Sequence, residues 1–132
     1  MRRPIILAAL AACVALPAMA QTAEEGESRY KSWCVACHGL EARGDGPMAE
    51  MLTIETPDLT LLAETNGGVF PTKRVARRID GRDPVLGHGG EMPVYGDLFD
   101  GKPTVIETEG GELILMSRPV AELIVWLRSV QE

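Results

Sequence analysis

The chain has 132 residues, 45% hydrophobic and 24% charged, with 13 Lys+Arg against 19 Asp+Glu for a net charge of −6. That length holds one domain. The acidic balance argues against nucleic acid and against any general attraction to anionic lipid.

Residues 1–20 read as a secretory signal. Arg2 and Arg3 precede an apolar run from Ile5 to Leu16, and Ala18-Met19-Ala20 offers the small residues a signal peptidase reads. The run is too short for a membrane span. Leu10-Ala11-Ala12-Cys13 resembles a lipoprotein cleavage site, but the apolar stretch before it is very short, so cleavage after Ala20 is favoured. Residues 21–132 are then the expected mature domain, two charges more acidic for losing Arg2 and Arg3. No later apolar stretch approaches membrane-spanning length, so the expected location is the periplasm, an oxidising compartment.

The first helix of the mature chain shows itself in Tyr30, Trp33, Cys34 and Cys37, an apolar stripe at i, i+3, i+4 and i+7. It ends in Cys34-Val35-Ala36-Cys37-His38, the Cys-x-x-Cys-His pattern of covalent haem attachment. Two thiols three residues apart share one helical face, so each can bond one vinyl group of a porphyrin while the next imidazole meets the iron. Other chemistries use the same residues less well. A disulfide closing so short a loop stabilises little. Zinc would need Cys34, Cys37, His38 and His88 together, three of them crowded on one turn. Trp33-Cys34-Val35-Ala36-Cys37 also resembles the thioredoxin motif, but that fold needs strands before it, and only residues 21–33 precede it here.

After His38 a glycine-rich loop runs to Gly46-Pro47, a turn that can lead into a helix. Short helices follow: one around Met48 to Leu52, a second capped by Asp58 and ending at Asn66-Gly67-Gly68, and a third from Lys73 to Asp80 stopped by Gly81. Met48 and Met51 read as core of the first. In the third, Val75, Ala76 and Ile79 face inward while Lys73, Arg74, Arg77 and Arg78 face out. That basic cluster is either a solvated helix face or a site for an acidic partner or a haem propionate. Residues 87–97, carrying His88 and Met92-Pro93, have no helical period and read as a loop. Thr104 to Met116 reads as two β-prone runs about Gly110-Gly111, a hairpin with an acidic tip at Glu107, Glu109 and Glu112. A last helix starts near Ser117 and Pro119 and runs to about Val130, with Val120, Leu123, Ile124 and Leu127 as its stripe and Trp126 beside it.

Together these features resemble a class I c-type cytochrome, the small bacterial monohaem kind. The likeness is anchored by the pentapeptide, by Gly26 and Tyr30 spaced four apart before Cys34, by the Met92-Pro93 loop and by the terminal helix. It spans essentially all of residues 21–132, and the hairpin is its one departure. The resemblance implies a mostly α fold of four to five short helices around one covalent haem, with a small β-hairpin before the C-terminal helix. It implies that Gly26 permits a close crossing of the terminal helices. It also implies that Cys34 and Cys37 carry haem c, that His38 is the proximal iron ligand, and that the Gly46-Pro47 pair offers its Pro47 carbonyl to the other nitrogen of His38. Met92 is the implied distal ligand, with His88 the alternative; methionine raises the reduction potential and a second histidine lowers it.

The expected function is one-electron transfer between redox proteins, donor and acceptor unspecified, rather than enzymatic turnover. Two alternatives stand: an electron-relay subunit of a larger periplasmic dehydrogenase or oxidase, or a haem enzyme or gas-binding site with a labile distal ligand. The protein is expected as a monomer or as a subunit of such a complex.

Overall fold

The first helix, α1 (Ala18–Trp33), and the last, α4 (Arg118–Ser129), cross and pack against each other. The crossing is close because Gly26 has no side chain: a Cβ there would lie 2.1 Å from the Glu122 carbonyl oxygen and 2.9 Å from the Trp126 Cβ. One turn on, Tyr30 meets Trp126 with ring centroids 4.3 Å apart. Val120, Leu123, Ile124 and Leu127 are buried, as their spacing predicts. Pro119 occupies the first turn of α4, and Ser117 stands at the N-cap position without a side-chain capping bond.

The computed structural model describes residues 18–81, 92–93 and 95–132, with side chains from residue 23 onward. Of the leader read in residues 1–20, residues 1–17, with Cys13, lie outside the described residues, as does the candidate ligand His88, and its last three residues open α1. No helix among the described residues is long and apolar enough to cross a membrane.

The crossing buries a charge that the apolar pattern does not announce. Glu122 is 2% exposed, and its carboxylate accepts from Arg29 Nε at 3.1 Å and from Arg118 Nε at 2.8 Å. A buried carboxylate persists only when such partners replace its water.

A four-residue helix, α2 (Val35–His38), follows α1 directly, with Cys34 at the joint. Continuity is kept by Cys34 N–H donating to Tyr30 O at 2.8 Å and His38 N–H donating to Cys34 O at 2.9 Å. Gly39 ends α2 at φ +80°, a conformation that favours glycine.

The stretch read as one helix from Asp58 to Asn66 is two separate 3-10 turns, Leu59–Leu61 and Glu64–Asn66. Asp58 does cap the first, its Oδ1 accepting from Thr60 N–H at 2.8 Å. The break has a direct cause. Gln131 Nε2 donates to Leu59 O at 2.8 Å, and Gln131 Oε1 accepts from Ala63 N–H at 2.9 Å. Those two backbone groups are the pair an α-helix would bond to each other, so a side-chain amide stands in the ladder.

Helix α3 (Thr72–Asp80) buries Val75 and Ile79 and ends at Gly81 in the left-handed conformation, as expected. The hairpin is present as β1 (Pro103–Glu107) and β2 (Leu113–Ser117), antiparallel, with Val105 opposite Leu115. Its tip is not a free acidic projection. Glu109 accepts from Thr72 Oγ1 at 2.7 Å and from Arg128 at 2.6 Å, Glu112 pairs with Lys73, and Arg128 also donates to Glu107 O at 2.9 Å. The cations of α3 and α4 draw the glutamates back onto the helices. Among the described residues the fold is thus helix-dominated with one small two-stranded sheet before the final helix.

Candidate functional site

The two free thiols and the imidazole of the pentapeptide open onto one large cavity of about 1070 Å³. This lies at the upper end of the ~300–1,000 Å³ typical of small-molecule and cofactor sites. Its apolar walls include Leu52, Leu59, Leu62, Phe99, Leu123 and Leu127, contributed by the loops, the 3-10 turns and α4. Cys34, Cys37, His38 and Met92 all line it.

Local geometry explains how the pentapeptide is held. Tyr30 Oη donates to Gly39 O at 2.6 Å, fastening α1 to the residue after His38. Burial, with Cys34 and Asp45 adding to it, pushes the Tyr30 hydroxyl well above its ordinary range, so it remains a donor. Tyr95 Oη donates to Trp33 O at 3.2 Å, and the Tyr95 ring stacks on Phe99 at 5.3 Å. Trp33 meets Phe99 edge-on, at 6.5 Å between centroids. Trp33 is therefore a half-exposed wall residue rather than core, while Tyr30 is buried as its stripe predicts.

Cys34 is not poised as a nucleophile. Burial, with Cys37 adding to it, pushes the Cys34 thiol up to about 11. Thiol–disulfide catalysts rely on the reverse, a thiol lowered towards neutrality. Both strands of the described residues also follow the motif, whereas the thioredoxin arrangement requires strands before it. The described residues contain no group of three or more His, Cys, Asp or Glu side chains able to hold a metal ion, and His88, the fourth donor zinc would need, lies outside them.

His38 is buried and its Nδ1 has no hydrogen-bond partner. Burial lowers its pKa, opposed by the backbone carbonyl of Pro57 beside the ring. No hydrogen bond joins the Pro47 carbonyl, expected in that role, to His38 Nδ1. Gly46 N–H donates to Cys37 O at 3.1 Å and Met48 N–H to Ala36 O at 2.8 Å. These bonds turn the Gly46-Pro47 pair onto the backbone of α2, and Pro47 is exposed. Gly46 is needed for that contact, since a Cβ there would lie 2.5 Å from the Ala36 carbonyl oxygen. The carbonyl that opposes the effect of burial on His38 belongs to Pro57, ten residues further on, and nothing in its local sequence marks it.

The methionines separate cleanly. Met48 and Met51, read as core, are exposed at 46% and 77%. Met116 is part of β2 and borders a different, smaller depression. Of the four methionines beyond residue 20, Met92 alone lines the cavity with His38. Sequence reasoning missed Tyr95, Phe99 and Leu52 as cavity walls. The four-residue spacing of Tyr95 and Phe99 was a usable signal, since Phe99 N–H donates to Tyr95 O at 2.8 Å and closes one turn between them.

Chemically, the arrangement offers two thiols, an imidazole and a thioether to one large apolar space. It can hold a flat apolar cofactor and ligate a metal that accepts nitrogen and sulfur. Compared with protein-family models, with curated proteins and with solved structures, the chain finds no match in any of the three.

Proposed function

We propose that this chain is a small c-type cytochrome that carries single electrons between redox proteins. One observation supports this above the others: Cys34, Cys37, His38 and Met92 converge on a single apolar cavity of about 1070 Å³. Nothing about helix packing alone requires the attachment motif and one methionine, far apart in sequence, to share a cavity.

The residues fit a covalent haem. Cys34 and Cys37 would hold it through thioethers, His38 would supply the proximal nitrogen, and Met92 the distal sulfur. The buried Nδ1 of His38 has no bonded acceptor, and the Pro57 carbonyl beside the ring is the group available to set its tautomer. When bound, the group supplies a one-electron couple, tuned by its axial ligands and by burial. The leucines and aromatics of the cavity exclude water from that couple, and Tyr30 holds the motif in place.

The test is the ferric and ferrous absorption spectrum of protein matured with haem-attachment machinery, compared with Met92→Ala and His88→Ala. The expected result is thioether-linked haem with the weak ferric red band of methionine ligation, lost only in Met92→Ala. Loss in His88→Ala instead transfers the distal role to His88. Absence of covalent haem overturns the reading.

A second reading, a relay subunit of a larger complex, draws on the hairpin. Val105, Leu113 and Leu115 are 54%, 67% and 71% exposed on its outer face, an apolar strip of the kind that marks protein contacts. Size-exclusion of the protein from its native host distinguishes the two, since a subunit elutes with its partner.

A further inference from the structure

The surface charge of this molecule is unevenly spread, and the unevenness falls at the mouth of the cavity. The chain carries a net charge of −6, yet Lys73, Arg74, Arg77 and Arg78 all line the cavity from α3 and are exposed. The opposite face of the same helix is fixed by burial of Thr72, Val75 and Ile79, so the four cations have one direction to face. Lys73 is partly neutralised by Glu112. Arg74 and Arg78, one helical turn apart, have no ion-pair partner among the described residues.

We infer that the exposed face of α3 is the docking surface for electron exchange, and that its partner is a protein presenting an acidic patch. The inference rests on the electron-carrier reading and names the partner class for it. Charge complementarity carries it: an acidic protein is repelled by most of this molecule and attracted at one place, which orients the encounter. That place borders the cavity holding Cys34, Cys37, His38 and Met92, so an orienting encounter brings the partner to the redox centre. An anionic membrane is the less suitable occupant, because a broad sheet of negative charge meets the acidic remainder of the surface as well as α3.

The test uses the sign of a salt effect. In the probe reaction one electron leaves the reduced protein and converts hexacyanoferrate(III) to hexacyanoferrate(II), with no atom or proton transferred. If net charge governs the encounter, two negative reactants repel, and added salt speeds the reaction. If α3 governs it, salt slows the reaction, by roughly three-fold or more between low and moderate ionic strength, as the Debye length shrinks to about 10 Å. We expect slowing. Arg74→Glu/Arg78→Glu should reverse the sign, whereas Lys31→Glu/Lys102→Glu, with the same change in net charge away from the cavity, should not.

A second readout needs no electron transfer. Amide resonances of the haem-loaded protein titrated with a poly-glutamate peptide should shift along residues 72–80, and not in Arg74→Glu/Arg78→Glu. Salt acceleration in the wild type overturns the inference. So does a charge reversal that alters the absorption spectrum or potential while leaving the salt sign unchanged, which assigns the arginines to the cofactor's own carboxylates. Peptide-free shifts of α3 resonances on anionic vesicles, with none on poly-glutamate, would hand the surface to lipid. Failure to obtain covalent haem strikes the electron-carrier reading itself and is seen in the spectrum before any rate is measured.

Discussion

A Cβ on Gly26 would stand 2.1 Å from the carbonyl oxygen of Glu122. The obstacle is backbone, which cannot rotate aside as a side chain does. Gly26→Ala should therefore push α1 off α4 and cost about 3 kcal/mol, the upper part of the range for overpacked cores. Chemical denaturation reads this as a lower midpoint with an unchanged slope. A variant as stable as the wild type would mean that the crossing is looser than the geometry indicates.

Glu122 has two arginine partners, and they are not equal. Arg29 is 34% exposed and Arg118 65%, so each alone can satisfy the carboxylate while the other is removed. Arg29→Met and Arg118→Met should each cost about 1 kcal/mol or less. The double variant leaves a buried carboxylate unpaired and should cost about 3–5 kcal/mol. The excess over the sum is the measurement; simple additivity would show that Glu122 finds water.

Gln131 makes three hydrogen bonds, to Leu59 O, Leu127 O and Ala63 N–H, at 2.8, 2.8 and 2.9 Å. Gln131→Ala frees Leu59 O and Ala63 N–H to bond each other. The net loss should therefore stay near 1–2 kcal/mol rather than the sum of three bonds. Carbonyl and amide shifts of residues 59–66 should move towards α-helix. If they do not, something other than Gln131 holds the two 3-10 turns apart.

The hairpin tip should be acid-sensitive. Burial pushes the Glu109 carboxyl up, but hydrogen bonds from Thr72 and from its own backbone N–H, with the charge and hydrogen bond of Arg128, outweigh it and leave it below its ordinary value. A carboxyl depressed in the fold stabilises above its unfolded pKa and loses that contribution as pH falls through the folded value. Glu109→Gln should thus be less stable than the wild type at pH 7. The gap should narrow as pH drops below about 4. Thermal midpoints of both proteins across that range provide the check; a gap constant with pH would detach Glu109 from hairpin anchoring.

Much of this architecture was legible in residue order because the signals are local. The stripe of α4, the Gly110-Gly111 turn, Gly81 as the stop of α3 and the inward Val75 and Ile79 each depend on neighbours within a turn or two. The pentapeptide from Cys34 to His38 is local too, so Cys34, Cys37 and His38 could be named together from spacing alone. Met92 could be named only through resemblance, since nothing around a methionine in a glycine-rich loop says which cavity it faces.

What the tertiary structure decided are the contacts between distant segments. The carbonyl of Pro57, far from the pentapeptide in sequence, opposes the effect of burial on the His38 ring, while Gly46 and Met48 bond to the backbone of α2. The helix read from Asp58 to Asn66 is broken by an amide from the chain's far end. The acidic hairpin tip folds back because Thr72, Lys73 and Arg128 meet it from two helices, and Glu122 is buried because Arg29 arrives from α1. Propensity and periodicity report on a residue's own turn. Which polar group satisfies which buried atom depends on where the chain brings the rest of itself, and that is set only when the whole core packs.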